Sequence, residues 1–196
     1  EIPLRLVGSE MCIRDRNLDT GNLAFMPLGD WMPALQRMID LRNVLGLRSP
    51  IHSLARILNP LAARCGLQSI FHPGYQAVHR EASQLLGDHA IVVKGDGGEI
   101  ELNPDAVCHL YGTERGENWD EDWPMLSERR HVKPERLDPT HLQAVWRGEA
   151  EDAYGQLAII ATMALALRGL GLQREAAFAE AEKRWQARHL SSQPIR

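Results

Sequence analysis

Cysteine is scarce in this chain. Cys12, Cys65 and Cys108 are odd in number and far apart, which excludes a disulfide framework and a zinc-ligand spacing and suits a reducing cytoplasm. An excess of base is also lacking: 22 Lys and Arg face 26 Asp and Glu, for a net charge of −4. That excludes a globally basic nucleic-acid binder but leaves room for a local basic face. Long apolar runs are missing as well. The most apolar stretch, Leu157 to Leu167, is too short to span a bilayer and reads as a buried helix, so no membrane partner is expected. No internal repeat is visible. The glycine-rich Gly95-Asp-Gly-Gly98 matches neither a P-loop nor a dinucleotide fingerprint and reads as a turn. His72, His79, His109 and His131 form no ligand spacing, and no Ser-His-Asp or Cys-His arrangement can be argued. What remains, with 44% apolar and 24% charged residues, is an ordinary globular composition. Its length allows one domain or one and a half.

Taken in order, Glu1–Arg16 has neither helical nor strand period and no signal-peptide core. Its run Met11-Cys-Ile-Arg-Asp-Arg16 looks like a translated sequencing-adapter scar, so these residues are left out of the expected fold, and the natural protein is expected to begin further upstream. Asn22–Met26 is apolar enough for a buried strand. Asp30 offers an N-cap for a helix carrying Leu35, Met38, Ile39, Arg42 and Leu45 and ended by Gly46. Ser49 and Pro50 open a second helix that stops at Asn59-Pro60. Gly66–Phe71 and His89–Lys94 read as buried strands, with a helix over Tyr75–Leu86 between them that turns Tyr75, Val78, Ala82 and Leu85 inward. Strand, helix, strand at this spacing predicts a βαβ unit and a parallel sheet. Glu99–Leu102 reads as a short half-solvated strand, and Thr113–Arg130 as a long acidic surface excursion with Trp119 and Trp123 packed on the domain. Helices are expected from Asp138 towards Trp146, over Asp152–Leu167, and over Arg174–Arg188 with Ala177, Phe178, Ala181 and Trp185 inward.

Charge is distributed unevenly along the chain. From Arg37 to Arg80 six arginines (Arg37, Arg42, Arg48, Arg56, Arg64, Arg80) and three histidines face the single acid Asp40, whereas from Asp96 to Glu128 the acids dominate and Arg115 is the one Arg or Lys. An asymmetry of this size predicts that the basic half meets a phosphate or carboxylate, a task suited to the planar guanidinium fork. The competing reading pairs several of these arginines with the acidic segment inside the fold. Arg42, Arg48 and Arg56 lie closest to the turn between the first two helices. There, amides at a helix start add to an anion site.

The same turn carries a family resemblance. Leu41–Pro60, with Arg42, Leu45, Gly46, Arg48, Asn59 and Pro60, resembles the segment P-V-R-x-x-L-G-x-R-T…N-P of the anthranilate phosphoribosyltransferase-like proteins, within glycosyltransferase family 3. Ile91–Glu99 resembles that family's later V-V-H-G-x-x-G-x-D-E, and the resemblance runs from about Leu23 to His189. It implies an α/β fold: the C-terminal part of the larger nucleoside-phosphorylase/phosphoribosyltransferase domain, a parallel sheet flanked by helices. Residues 17–190 would form this partial domain, with 1–16 outside it and 191–196 as a tail. It also implies that the arginine matched by Arg42 contacts an aromatic acid. The acidic pair matched at Gly98-Glu99 would help hold Mg²⁺ and the diphosphate of phosphoribosyl diphosphate.

The departures from the family pattern matter equally. Glu99 remains of the acidic pair, with Gly98 at the aspartate position, and two carboxylates bind Mg²⁺ far better than one. Glu1–Arg16 resembles neither the family's phosphate loop nor its lysine/asparagine segment. Ala161 stands where the last helix often carries asparagine. Such substitutions resemble those of the divergent bacterial paralogues. That likeness implies a cytoplasmic homodimer, formed through an N-terminal domain missing here, which lacks transferase activity and binds DNA or RNA through a basic groove. The residues expected on phosphates are Arg42, Arg48, Arg56 and Lys94, with no cofactor. The alternative is a phosphoribosyltransferase acting on an aromatic acceptor, with phosphoribosyl diphosphate as partner, Mg²⁺ as cofactor and Glu99 as its ligand.

Overall fold

The computed structural model describes residues 25–95, 99–128, 131 and 138–188, and the chain divides after Arg56 into two units. The expectations for residues 1–16, Gly98 and the tail lie outside the described residues. In the first unit Phe25 and Met26 are irregular and Phe25 is exposed, so the described part of the predicted Asn22–Met26 strand is not one. Four helices follow: α1 (Leu28–Trp31), α2 (Pro33–Asp40), α3 (Arg42–Leu45) and α4 (Ile51–Leu54). Asp30 sits inside α1, and the residue before α2 is Met32, held out of the helical region at φ −133° and ψ 65°. Pro33 disfavours a helical conformation at the residue preceding it, and this separates α1 from α2. Gly46 ends α3 at φ 68°, as expected of a left-handed cap. None of the four helices buries a residue, and α4 is a single turn.

The second unit begins with the predicted βαβ unit. β1 (Gly66–Ile70) and β2 (Ala90–Lys94) pair in parallel, from Gly66 opposite Ala90 to Ile70 opposite Lys94. A 3-10 turn, Pro73–Tyr75, leads into α5 (Gln76–Leu86), which Gly87 caps at φ 72°. The inward face of α5 is not the predicted one. Tyr75, Val78 and Leu85 are exposed, and Gln76, His79 and Ser83 are buried. Gln68 of β1 explains the difference: its Nε2 donates to Ser83 Oγ at 2.9 Å, and its Oε1 lies 2.9 Å from His79 Nδ1. The hydrogen bonds of Gln68 with His79 and Ser83 offset the cost of burying these polar groups and fix the helix's rotation.

The acidic excursion is an antiparallel hairpin, β3 (Cys108–Glu114) and β4 (Glu117–Trp123). Arg115 and Gly116, at φ 53° and 81°, form its turn, and a two-residue loop returns a strand antiparallel. Strand alternation accounts for the composition: Trp119, Glu121 and Trp123 point inward, while Asp120 and Asp122 stay exposed. Trp119 pairs with Gly112, where any Cβ would collide with the indole. β3 pairs with β2, so the sheet runs β1-β2-β3-β4 and is mixed rather than wholly parallel. Glu99–Leu102 is irregular and not a strand. It is fixed by the Leu102 N–H, which donates to Thr162 Oγ1 at 3.0 Å.

Three helices complete the unit. α6 (Pro139–Arg147) is capped by Asp138, and α7 (Ala153–Gly169) by Asp152, each carboxylate accepting a backbone N–H at 2.9 Å. α8 is Arg174–Ala187. α7 and α8 pack together through small residues, among them Ala161, Ala164, Ala177 and Ala181, all fully buried, and share one core with Ile91, Val93, Leu110 and Trp123. α5 contacts β2, β3 and β4 and reaches Gln68, Tyr111 and Asp120, which alternate with the core-facing Leu67, Leu110 and Trp119, so the sheet lies between α5 and the α7–α8 layer.

Candidate functional site

In α/β folds ligands gather outside the carboxyl ends of parallel strands. Here that end belongs to β1 and β2. The Gly95 N–H donates to the Ile70 carbonyl at 3.2 Å, prolonging the pairing by one residue. Gly95 has no room for a side chain, since a Cβ would collide with Ser69 Oγ and the Glu99 carbonyl oxygen. This close approach sets Lys94 and Glu99, both exposed, on the two limbs of one loop. After β1 the chain presents Phe71, His72 and Tyr75, with ring centroids 5.0 Å apart for the first pair and 6.5 Å for the second. Phe71 and Tyr75 are about half exposed. Reading the sequence for charge passed over this aromatic run, although its Phe-His-Pro-Gly-Tyr composition marks a turn lined with rings.

Glu99 is an exposed carboxylate beyond β2, and the described residues contain no group of three or more His, Cys, Asp or Glu placed to hold a metal ion.

The first unit holds Arg42, Arg48 and Arg56; Lys94 and Glu99 belong to the second, so the five predicted site residues do not share one unit. Arg42 opens α3, and Arg48 follows Gly46, both side chains exposed. The anticipated contribution of a helix start is not available. α4 has four residues, too few for a useful dipole, and the Ser49 N–H is taken by His52 Nδ1 at 3.2 Å. His52 Nε2 is buried without a hydrogen-bond partner among the described residues. Burial holds the Arg56 guanidinium below its ordinary pKa, and the charge of Arg48 lowers it further. The charge of Arg48 thus reaches Arg56 across α4, while Arg42 and Arg48 make no ion pair among the described residues.

Other arginines are used structurally. Arg80 pairs with Asp120 and lies 5.5 Å from the Tyr111 ring centroid. Arg168 Nε donates to Glu121 at 2.9 Å, with its guanidinium 4.3 Å from the Trp119 ring. The acidic hairpin thus takes up Arg80 from the basic half, as the competing reading anticipated. Among the described residues no helix is long and apolar enough to cross a membrane.

No family model matches the chain. Over 156 residues it is 31% identical to the anthranilate phosphoribosyltransferase of Paracidovorax citrulli, covering 75% of this chain and 45% of that protein. Over 89 residues it is 32% identical to the uncharacterized protein YbiB of Escherichia coli, covering 44% of this chain and 28% of that protein. Over 85 residues it is 35% identical to an uncharacterized protein of Aquifex aeolicus, covering 43% and 28%. The chain spans less than half the length of these curated relatives. It is anthranilate phosphoribosyltransferase-like in sequence and α/β in fold.

Proposed function

We propose that this anthranilate phosphoribosyltransferase-like chain belongs to a catalytically degenerate protein that binds nucleic acid. Arg42, Arg48 and Arg56 of the first unit contact backbone phosphates, and Lys94 of the second unit adds a further contact. The observation that supports this reading is that Arg42 and Arg48 are exposed around one turn without an ion pair among the described residues, with Arg56 close enough that, after burial, the charge of Arg48 lowers its pKa. A polyanion relieves that repulsion, and phosphate contacts need neither a metal nor a base-specific side chain.

Binding of mixed-sequence DNA and RNA across a salt series tests the proposal. Replacing Arg42, Arg48 and Arg56 together by Gln should weaken binding uniformly across sequences. It should also reduce the slope of log affinity against log salt by about 2–3. Salt-insensitive binding, or full binding by the triple variant, overturns it.

A second reading, a phosphoribosyltransferase acting on an aromatic acceptor, is favoured by the name of the Paracidovorax citrulli relative and by the position of Glu99 beyond β2. In that reading Arg42 holds the acceptor carboxylate. Saturable, Mg²⁺-dependent binding of phosphoribosyl diphosphate that is lost in Glu99→Gln would support it over the first.

A further inference from the structure

At the amino-terminal ends of β1 and β2, opposite the strand ends described above, the second unit opens a cavity of about 540 Å³. Its polar lining includes Asn59, Arg64, Asp88, His89, Glu114 and Arg115. Arg64 and Arg115 lack an ion-pair partner among the described residues, although two carboxylates line the same space. Asp88 is already engaged, its Oδ1 accepting from Asn59 Nδ2 at 3.2 Å.

The backbone around the cavity is unusual in a way that charge alone does not require. Two described residues other than glycine have positive φ, Ala62 at 48° and Arg115 at 53°, and both line this cavity. Glycine or asparagine occupies such positions at lower cost, and asparagine is the common choice at the first residue of a two-residue hairpin loop. Each turn is clamped by a polar side chain of the cavity. Asn59 Oδ1 accepts the Ala63 N–H at 2.8 Å, and His89 Nε2 accepts the Arg115 N–H at 3.1 Å. The second bond leaves Nδ1 to carry the proton of the neutral imidazole. Strain held in place by its surroundings is a feature of ligand clamps, and here it fixes the backbone of Arg115, one of the two lining arginines without an ion-pair partner among the described residues.

We propose that this cavity binds a small hydroxylated phosphomonoester. The phosphate dianion bridges the forks of Arg64 and Arg115, where paired charge-assisted hydrogen bonds form. Hydroxyl groups on the body of the ligand donate to Asp88 and Glu114, which would repel a bare anion. The site lies within the second unit and does not depend on nucleic-acid binding by Arg42, Arg48 and Arg56.

Glycerol phosphate is the probe, titrated into the isotope-labelled chain and followed by amide chemical shifts. Saturable shifts are expected at Gly116, Gly169 and Gly171, with inorganic phosphate weaker. Arg115→Asn should leave the melting temperature unchanged or raised, because asparagine accepts the left-handed backbone, yet weaken binding roughly tenfold through loss of the charged donor. Adding Arg64→Gln should abolish the shifts. Absence of saturable shifts at these glycines, or undiminished binding by the double variant, overturns the proposal. So does a result in which duplex DNA gives the shifts and glycerol phosphate does not, since the cavity would then serve the nucleic-acid surface.

Discussion

The two units of this chain use charge in opposite ways. In the second, acids and bases come from distant parts of the sequence and meet: Arg80 with Asp120, Arg168 with Glu121, the latter against the ring of Trp119. In the first, the helices bury nothing, and Arg48 stands beside Arg56. Charges matched within a core-bearing unit report on how the fold is held. Like charges set around short helices that bury no residue report on what the protein meets. The contrast turns an undifferentiated list of arginines into two classes, and each class predicts a different response to substitution and to salt.

The sharpest test of the second unit's side of the contrast is its core. Trp123 is fully buried, its ring centroid is 4.9 Å from that of Phe178, and its Nε1 donates to Glu121 at 2.8 Å. Trp123→Ala removes an aromatic ring and the hydrogen bond that anchors the inward carboxylate. Denaturant unfolding should show a loss of about 3–5 kcal/mol. A loss below 1 kcal/mol would mean that the hairpin is not part of the stabilising core.

pH offers the next effect. Burial first, and then the charge of Asp122, pushes the Cys108 thiol up to about 11 from its ordinary 9.0. The folded chain therefore keeps this proton where the unfolded chain has released it. The stabilisation is fully present below pH 9 and is lost as pH rises to about 11, on the order of 2–3 kcal/mol in total. Cys108→Ala should flatten that part of the stability profile without abolishing it, because the Cys65 thiol is raised too, by burial foremost.

A smaller loss is expected from the paired charges themselves. Glu121→Gln keeps a hydrogen-bond acceptor for Trp123 but removes the charge facing Arg168. Both side chains retain partial solvent access, 24% and 15%, so screening limits the effect to roughly 1 kcal/mol. If stability is unchanged, the ion pairs of the hairpin are incidental to the fold.

How much of this was legible in the sequence depends on the kind of pattern each element carries. The βαβ unit was readable because Ile91–Val93 is a continuous apolar run and Gly87 a clear helix stop. The helix starts at Asp138 and Asp152, and the inward alanines of α8, were readable from type and spacing. The hairpin was not, because its solvent-facing acids outweigh its inward residues and hide the two-residue period of Trp119, Glu121 and Trp123. The face of α5 was misread by one residue. Tyr75, Val78 and Ala82 have the same spacing as Gln76, His79 and Ser83, and only the position of Gln68 across the sheet decides between them. At the candidate site, residue types were legible and locations were not. The sequence marked Arg42, Arg48 and Arg56 by the absence of nearby acids and counted His52 among the basic residues, but not its buried Nε2. It also gave no sign that Arg64 and Arg115, 51 positions apart, line one cavity.

The smallest effect bears most directly on the contrast, because its sign is opposite to the others. If Arg48 and Arg56 repel one another with nothing bound, Arg48→Gln should not weaken the chain. It removes a like charge from beside a partly buried guanidinium, so at low salt the variant should be more stable by about 0.2–0.5 kcal/mol, the scale of like-charge pairs on a helix surface. The gain should shrink as salt rises and the Debye length falls to about 8 Å at physiological ionic strength. In the presence of DNA the order should reverse, with the unsubstituted chain gaining more from ligand than the variant does. Reversal on adding polyanion separates an arginine kept for a ligand from one tolerated at the surface, for which DNA would change neither protein's melting temperature. A loss of stability in Arg48→Gln without ligand would instead place Arg48 among the structural charges, and the two units would no longer differ.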